Sequence, residues 1–325
     1  MDDFREQGPL FTFGVIADIQ YADIDDGLNF TQTRRRFYRN SIHLLKEARE
    51  TWSQSATPPN FILQLGDIID GFNKDHGASS GALDRVLEEF SLGSMDVHHV
   101  WGNHELYNFT RSELLKSRLN SGVLADGRAG GDIYAYSFSP FPGFTFVVLD
   151  AYDVSLLGVE EDSPRYQSAF TFIKQHNNNE DLNCPPVEFD SLKQRFTKFN
   201  GGFSVTQLDW LNRVLTSADK EQEKVSIVSH LPVHPCSTTP ICLAWNFEEL
   251  LSIIQRHSSV VCFIAGHDHD GGYYWDESTG VHHLTLEAVI ETPPGNNAFG
   301  TVSVYEDRMV LKGTGRVSDI ELLFP

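Results

Sequence analysis

Residues 260–275 read VVCFIAGHDHDGGYYW. Six apolar residues run into a glycine, and four groups that resist burial follow: His267, Asp268, His269 and Asp270. The run 260–265 reads as a central strand covered on both faces. On an extended chain, residues two apart share a side. The spacing therefore predicts His267 and His269 facing one space, with Asp268 turned away. Two imidazoles aimed at one point beyond a strand end are a metal-binding arrangement. A polar turn that happens to contain histidines is the alternative, and the rest of the chain decides between them.

The same design recurs along the chain. FTFGVIADIQ (11–20) ends at Asp18 and Gln20, and FILQLGDIID (61–70) ends at Asp67 and Asp70. VHHVWGNHE (97–105) carries Asn103 and His104, and KVSIVSHLP (224–232) carries His230. Ligands of α/β sheets bind beyond the carboxyl ends of strands, so these ends suggest one shared site.

Helical signals lie between them. Residues 31–52 have helical spacing, with Phe37, Ile42, Leu45 and Ala48 apolar. Ser204 with Gln207 reads as a capping box before LDWLNRVL, and Asn246 with Glu249 as a weaker one before LLSIIQR. Residues 134–150 read as a hairpin with a Pro-Gly turn, and 301–315 as one turning near Glu306 and Asp307. Together these predict an α/β fold: mixed sheets packed as a sandwich and flanked by helices, in one domain over 8–320. Residues 153–203 differ, being polar and turn-rich (HNNNEDLNCPP, FNGGFS). They read as an insertion, either a lid over the site or a surface excursion.

Composition excludes several classes. Of the 325 residues, 40% are hydrophobic and 12% aromatic, enough for a large core. There are 25 Lys plus Arg against 45 Asp plus Glu, a formal charge of −20, which opposes binding to extended nucleic acid. A small phosphorylated ligand remains compatible, because bound cations reverse the local sign. Cys184, Cys236, Cys242 and Cys262 form no CxxC pair, so neither a disulfide framework nor a zinc ribbon is expected. The start, MDDFREQGPL, lacks an apolar signal segment, and no apolar run approaches membrane-spanning length. A soluble, monomeric, cytoplasmic protein is expected.

Taken in order, D-x-Q (18–20), G-D-x-x-D (66–70), G-N-H-E (102–105), a lone His230 and G-H-x-H (266–269) resemble the calcineurin-like metallophosphoesterase superfamily. That resemblance spans most of the chain. It implies a four-layer α/β/β/α sandwich and a site for two divalent metal ions. Asp67 would bridge them. Asp18, Gln20 and His269 would complete one ion's ligands, and Asn103, His230 and His267 the other's. Two such ions neutralise phosphoryl oxygens and lower the pKa of a bridging water, whose hydroxide would attack phosphorus. His104, one residue after a ligand, would protonate the leaving oxygen or bind the phosphoryl group.

Gln20 stands where the superfamily pattern has histidine. Its amide oxygen is a hard donor, which predicts a preference for manganese or magnesium over zinc. The other reading leaves Gln20 unligated and the first metal site degenerate. Asp-x-Gln, with DGLNFTQTRRRFYRNS, VLDAYD and CLAWN, also resembles a branch of the superfamily. Members of that branch are manganese-dependent diphosphatases acting on ADP-ribose and CDP-alcohols. The resemblance implies hydrolysis of the diphosphate bond, releasing AMP or CMP. A cyclic-nucleotide phosphodiesterase, a protein phosphatase or a non-catalytic scaffold are the alternatives, since the motifs read only the phosphate.

Substrate contacts are less constrained. Phe30 either stacks on a nucleobase or staples the following helix. Leu243 and Trp245 either wall the base pocket or belong to the core. Arg36, in the run 34–36, either reaches a phosphate or lies on a solvated face. Asp70 and Glu105 are candidates for orienting the ligands or His104. His98, His99, His234, His282 and His283 read as structural.

Overall fold

The computed structural model describes residues 8–29, 31–187 and 190–325. Two sheets face each other. From edge to edge the first runs Ile320–Leu323, Arg308–Gly315, Ala298–Val304, Phe11–Ile16, Phe61–Gln64 and Asp96–His99. The second runs Gly272–Asp276, Val281–Thr285, Val260–Ala265, Lys224–Val228, Phe144–Val148, Tyr136–Phe141 and Gly127–Arg128. Both are mixed. Phe11–Ile16 pairs in parallel with Phe61–Gln64 but antiparallel to Ala298–Val304. Val260–Ala265 is parallel to both its neighbours and fully buried, as its unbroken apolar run requires.

Helix Ser41–Gln54 packs with Ser79–Ser91 on the first sheet, and Val205–Glu221 packs on the second. The layers are therefore helix, sheet, sheet, helix, as expected. Aromatic rings fill the space between the sheets. The Phe146 ring meets the edges of Phe13 and Phe61, with centroids 5.2 and 5.3 Å apart. Such edge-to-face contacts add to the area buried by the rings.

Both expected hairpins form. Tyr136–Phe141 returns through Pro142 and Gly143 to Phe144–Val148, and Ala298–Val304 returns to Arg308–Gly315. The reading of 31–52 as one helix needs correction, because the helix starts only at Ser41. Residues 27–28 and 35–36 pair instead as a small hairpin. Asn29 Oδ1 accepts from the Thr33 and Arg34 amides at 2.8 and 3.1 Å, closing a turn that competes with helix. Ser204 does cap its helix by accepting from Gln207 N. The Gln207 side chain bonds both backbone groups of Asp150 rather than completing a box.

Within 153–203, Pro164–His176 is a helix. Leu156, Ala169, Ile173, Leu182 and Phe196 form a small second core, closed by Trp245. Among the described residues no helix is long and apolar enough to cross a membrane.

Phe146 is fully buried where the sheets meet. Phe146→Ala is expected to lower unfolding free energy by about 3–5 kcal/mol in urea titration. A loss below about 1 kcal/mol, the scale of an ordinary surface change, would show that the inter-sheet rings do not hold the sandwich.

Candidate active site

The carboxyl ends of five strands converge at one end of the sandwich. The first sheet delivers Asp18, Gln20, Asp67 and Asn103, and the second delivers His230, His267 and His269. The site is therefore a seam between the sheets. Its backbone is tightly wound. Asp18, Gln20, Asp67 and His267 all have positive φ, at 50°, 43°, 54° and 70°. Conformations of this kind persist only where surrounding bonds over-determine them. Here Asp18 N donates to Gly66 O, and Gln20 N to Asp67 O. The left-handed turn at His267 corrects the extended-chain argument. The two histidines of 267–269 reach the site from a turn, not from strand alternation.

Two glycines are required by close approach. A Cβ at Gly66 would lie 2.3 Å from His230 Nδ1, and one at Gly102 would lie 2.1 Å from Asp67 Oδ1. Glu105 staples this region by accepting from the amides of Asp67, Ile68 and Gly102 at 2.7–2.8 Å. Burial and the Asp67 charge push the Glu105 carboxyl up to about 7, against those three donors, which favour its anion.

The donors separate into two groups around Asp67. His230 Nε2 is 3.2 Å from His267 Nδ1 and 3.4 Å from Asp67 Oδ2. On the other side, Gln20 Nε2 is 3.0 Å from His269 Nε2 and 3.3 Å from Asp67 Oδ2, and Asp18 Oδ1 is 3.5 Å from His269 Nε2. Burial by itself would raise the Asp67 carboxyl, but the His230 and His104 imidazoles hold it well below the usual carboxylate range.

Each imidazole is fixed in one tautomer by the bond its other nitrogen makes. His230 Nδ1 donates to Leu65 O at 2.7 Å, and His269 Nδ1 to Glu291 Oε1 at 2.8 Å. His267 Nε2 donates to Asn200 Oδ1 at 2.9 Å, and the Asn200 amide is itself oriented by Arg195 O and Ile241 O. The lone pairs of His230 Nε2 and His267 Nδ1 then face each other. A positive charge is needed between them. The Asp67 charge overcomes burial and raises His230 to about 9, while burial and His230 depress His267.

A divalent cation satisfies this arrangement better. Asp18 Oδ1 and Gln20 Oε1 are buried without a hydrogen-bond partner. A half-turn of the Gln20 amide would place its oxygen beside His269 Nε2 and Asp67 Oδ2, forming an oxygen-rich donor set. The residues present therefore fit a pair of divalent ions sharing Asp67. Asn103 is buried with them, its Oδ1 accepting from Tyr152 Oη.

His104 borders this centre. Its amide donates to Asp67 Oδ1 at 2.8 Å, and its Nδ1 accepts from Gly71 N at 2.8 Å. The neutral ring therefore carries its hydrogen on Nε2. Burial alone would depress the imidazole, but Asp67 and Asp70 hold it above its ordinary value.

The site floors a cleft of about 580 Å³. Arg36 lines it, with its guanidinium between Asp70 and Glu291. Leu243 and Trp245 do not line it, which corrects the base-pocket reading of these residues in favour of the core one. Both are fully buried, and Trp245 Nε1 donates to Thr197 O at 3.1 Å. Their neighbours Ile241 and Cys242 reach the cleft instead. Phe30 lies outside the described residues. Asp268 caps the turn at 238–239 by accepting from both threonines. Glu291 and Asn200 lie in EAVIETPPG and FNGGFS, which look like ordinary loops in sequence; an amide just before a glycine pair is the one local hint.

Fold and donor set together define a two-cation phosphoester hydrolase. The chain belongs to the calcineurin-like phosphoesterase family, whose description matches residues 11–271. It is 56% identical to the manganese-dependent ADP-ribose/CDP-alcohol diphosphatase of Danio rerio, over 98% of this chain and 99% of the relative. The human protein of the same name is 51% identical over 95% of this chain and 92% of its own length, and that of Arabidopsis thaliana 42% over 96% and 97%. A crystal structure of a dimetal phosphatase from Danio rerio superposes with a TM-score of 0.94 at 57% identity, covering 98% of this chain and all of that one.

Glu291 fixes the His269 tautomer. Glu291→Ala is expected to weaken manganese binding by about 10–100-fold with circular dichroism unchanged. Unaltered affinity in equilibrium dialysis would remove Glu291 from the metal-holding residues.

Proposed function

We propose that this chain hydrolyses the diphosphate bond of ADP-ribose and of CDP-alcohols with manganese. The products are AMP or CMP and a phosphorylated sugar or alcohol. The observation that carries this reading is the pair of donor groups flanking Asp67 at the floor of a cleft large enough for a nucleotide. Near-full-length relatives from fish to plant bearing that activity in their names support it.

Two divalent ions, when bound, supply charge that neutralises the phosphoryl oxygens and lowers the pKa of water. Asp18, Gln20 and His269 would hold one, Asn103, His230 and His267 the other, and Asp67 both. The chain's own residues do the rest. A new oxygen–phosphorus bond forms as the bond to the bridging oxygen breaks. That oxygen leaves on a phosphate and takes a proton, which the His104 imidazolium, favoured by Asp67 and Asp70, is placed to give from Nε2. Asp70, 3.3 Å from Nδ1, accepts from the protonated ring, and Gly71 N donates to Nδ1 of the neutral ring. Arg36 and Arg34, both on the cleft, place positive charge beside a two-phosphate substrate. The 153–203 segment forms one wall, through Asp181, Asn183 and Phe199. We extend the proposal to closure of this wall over bound substrate.

Chelator-stripped protein supplied with manganese should release AMP from ADP-ribose and CMP from CDP-choline, separated by chromatography. His104→Ala should reduce turnover by about 10²–10⁴-fold. Absence of both products, with hydrolysis of a simple phosphodiester, would overturn the substrate assignment and keep the reaction class.

Gln20 is the hard donor that favours manganese. Gln20→His should broaden metal use, with zinc supporting a larger fraction of the manganese rate. An unchanged metal profile would refute its place among the ligands.

A further inference from the structure

A second group of metal-type donors lies away from the cleft. The hairpin of Gly272–Asp276 and Val281–Thr285 pairs Tyr274 directly with His283. Alternation places Tyr274, Asp276 and His283 on one face of that hairpin, and Tyr273, Trp275 and His282 on the other. His234 comes from the turn after Lys224–Val228. Its ring stacks on Tyr274 with centroids 4.3 Å apart and lies 4.6 Å from that of His283. One donor atom each from His234, Asp276 and His283 falls within 4.8 Å of the others. None of the three lines the catalytic cleft.

An independent observation points to a ligand here. His283 is only 2% exposed, yet its Nδ1 has no hydrogen-bond partner. Its neighbour His282 shows the ordinary outcome for a buried histidine, with Nδ1 against Tyr273 Oη and Nε2 against Leu323 O, both at 2.8 Å. An orphaned nitrogen in the interior is costly unless something occupies it. Burial and the adjacent His234 push His283 down to about 3, so the ring keeps its lone pair at neutral pH. Burial also depresses His234. Asp276 is anionic, its carboxylate bonded to Ser278 and Thr279 with acceptor capacity to spare.

We propose that His234, Asp276 and His283 bind a zinc ion at a site separate from the catalytic pair. Two neutral imidazoles and one carboxylate form a borderline donor set that suits zinc with water as a fourth ligand. In the cleft, the side formed by Asp18, Gln20 and Asp67 with His269 is oxygen-rich and suits manganese. The ion clips the 230–239 turn, which carries His230 and lines the cleft through Thr239, to the hairpin beside it. Cys236 N donates to His234 Nδ1 at 3.1 Å. Binding at that nitrogen replaces this bond, and binding at Nε2 moves the ring hydrogen to Nδ1, so either mode releases the Cys236 amide.

The test dialyses manganese-saturated full-length protein against micromolar zinc chloride with manganese in excess. Both metals are counted by mass spectrometry and melting temperature is recorded. The expected result is one zinc per chain without loss of manganese, and a melting temperature raised by zinc. His234→Ala, at a half-buried ring, should bind zinc at least about tenfold more weakly and lose the thermal shift, while keeping its manganese and its turnover. Asp276→Asn provides a second variant, expected to behave likewise. Zinc that enters only as manganese leaves would overturn the proposal. So would extra zinc retained by both variants, which would place it on exposed thiols such as Cys236.

Discussion

The arrangement at the seam of the two sheets rests on two nitrogen lone pairs. His230 Nε2 and His267 Nδ1 face each other at 3.2 Å because Leu65 O and Asn200 Oδ1 claim the hydrogens on the opposite sides of the rings. Such a pair is repulsive until positive charge comes between. The fold holds it in place with backbone that is itself costly. Four of the converging residues have left-handed φ, each worth about 1–3 kcal/mol of strain. Interlocking amide bonds between 18–20 and 66–67, and the three-donor Glu105 staple, leave these residues no relaxed alternative. The backbone thus over-determines the geometry of the donors.

That constraint explains how an acidic chain handles an acidic substrate. A formal charge of −20 repels a diphosphate at long range. Bound cations, with Arg34 and Arg36 on the cleft, would invert the sign locally. The ions address the phosphates alone. Discrimination between substrates then belongs to the cleft walls, where Asn29, Asn183 and the pair Thr239 and Ile241 come from three separate segments.

How much was legible in the sequence follows from how local each feature is. The hairpins at 134–150 and 301–315 could be read because alternation and turn residues act over a few positions. The spacing over 31–52 predicts too long a helix because it continues through 31–40, where the Asn29 side chain closes a competing turn. Sequence leaves Leu243 and Trp245 between base pocket and core, because they neighbour the right residues. Only packing shows that they turn into the core while Ile241 and Cys242 turn outward.

The sequence by itself determined the inventory and order of donors: carboxylates, amides and imidazoles, each just past a buried apolar run. Those runs must become central strands to be buried, and their polar ends must then gather at one edge of the sheets. The tertiary structure decided the pairing. His267 meets His230, 37 positions earlier, whereas His269, two residues on, meets Gln20, 249 positions away. It also decided the tautomers, through Glu291, Asn200 and Leu65 O. A ring's protonated nitrogen is set by whichever acceptor packs against it, and a one-dimensional pattern carries no record of that neighbour.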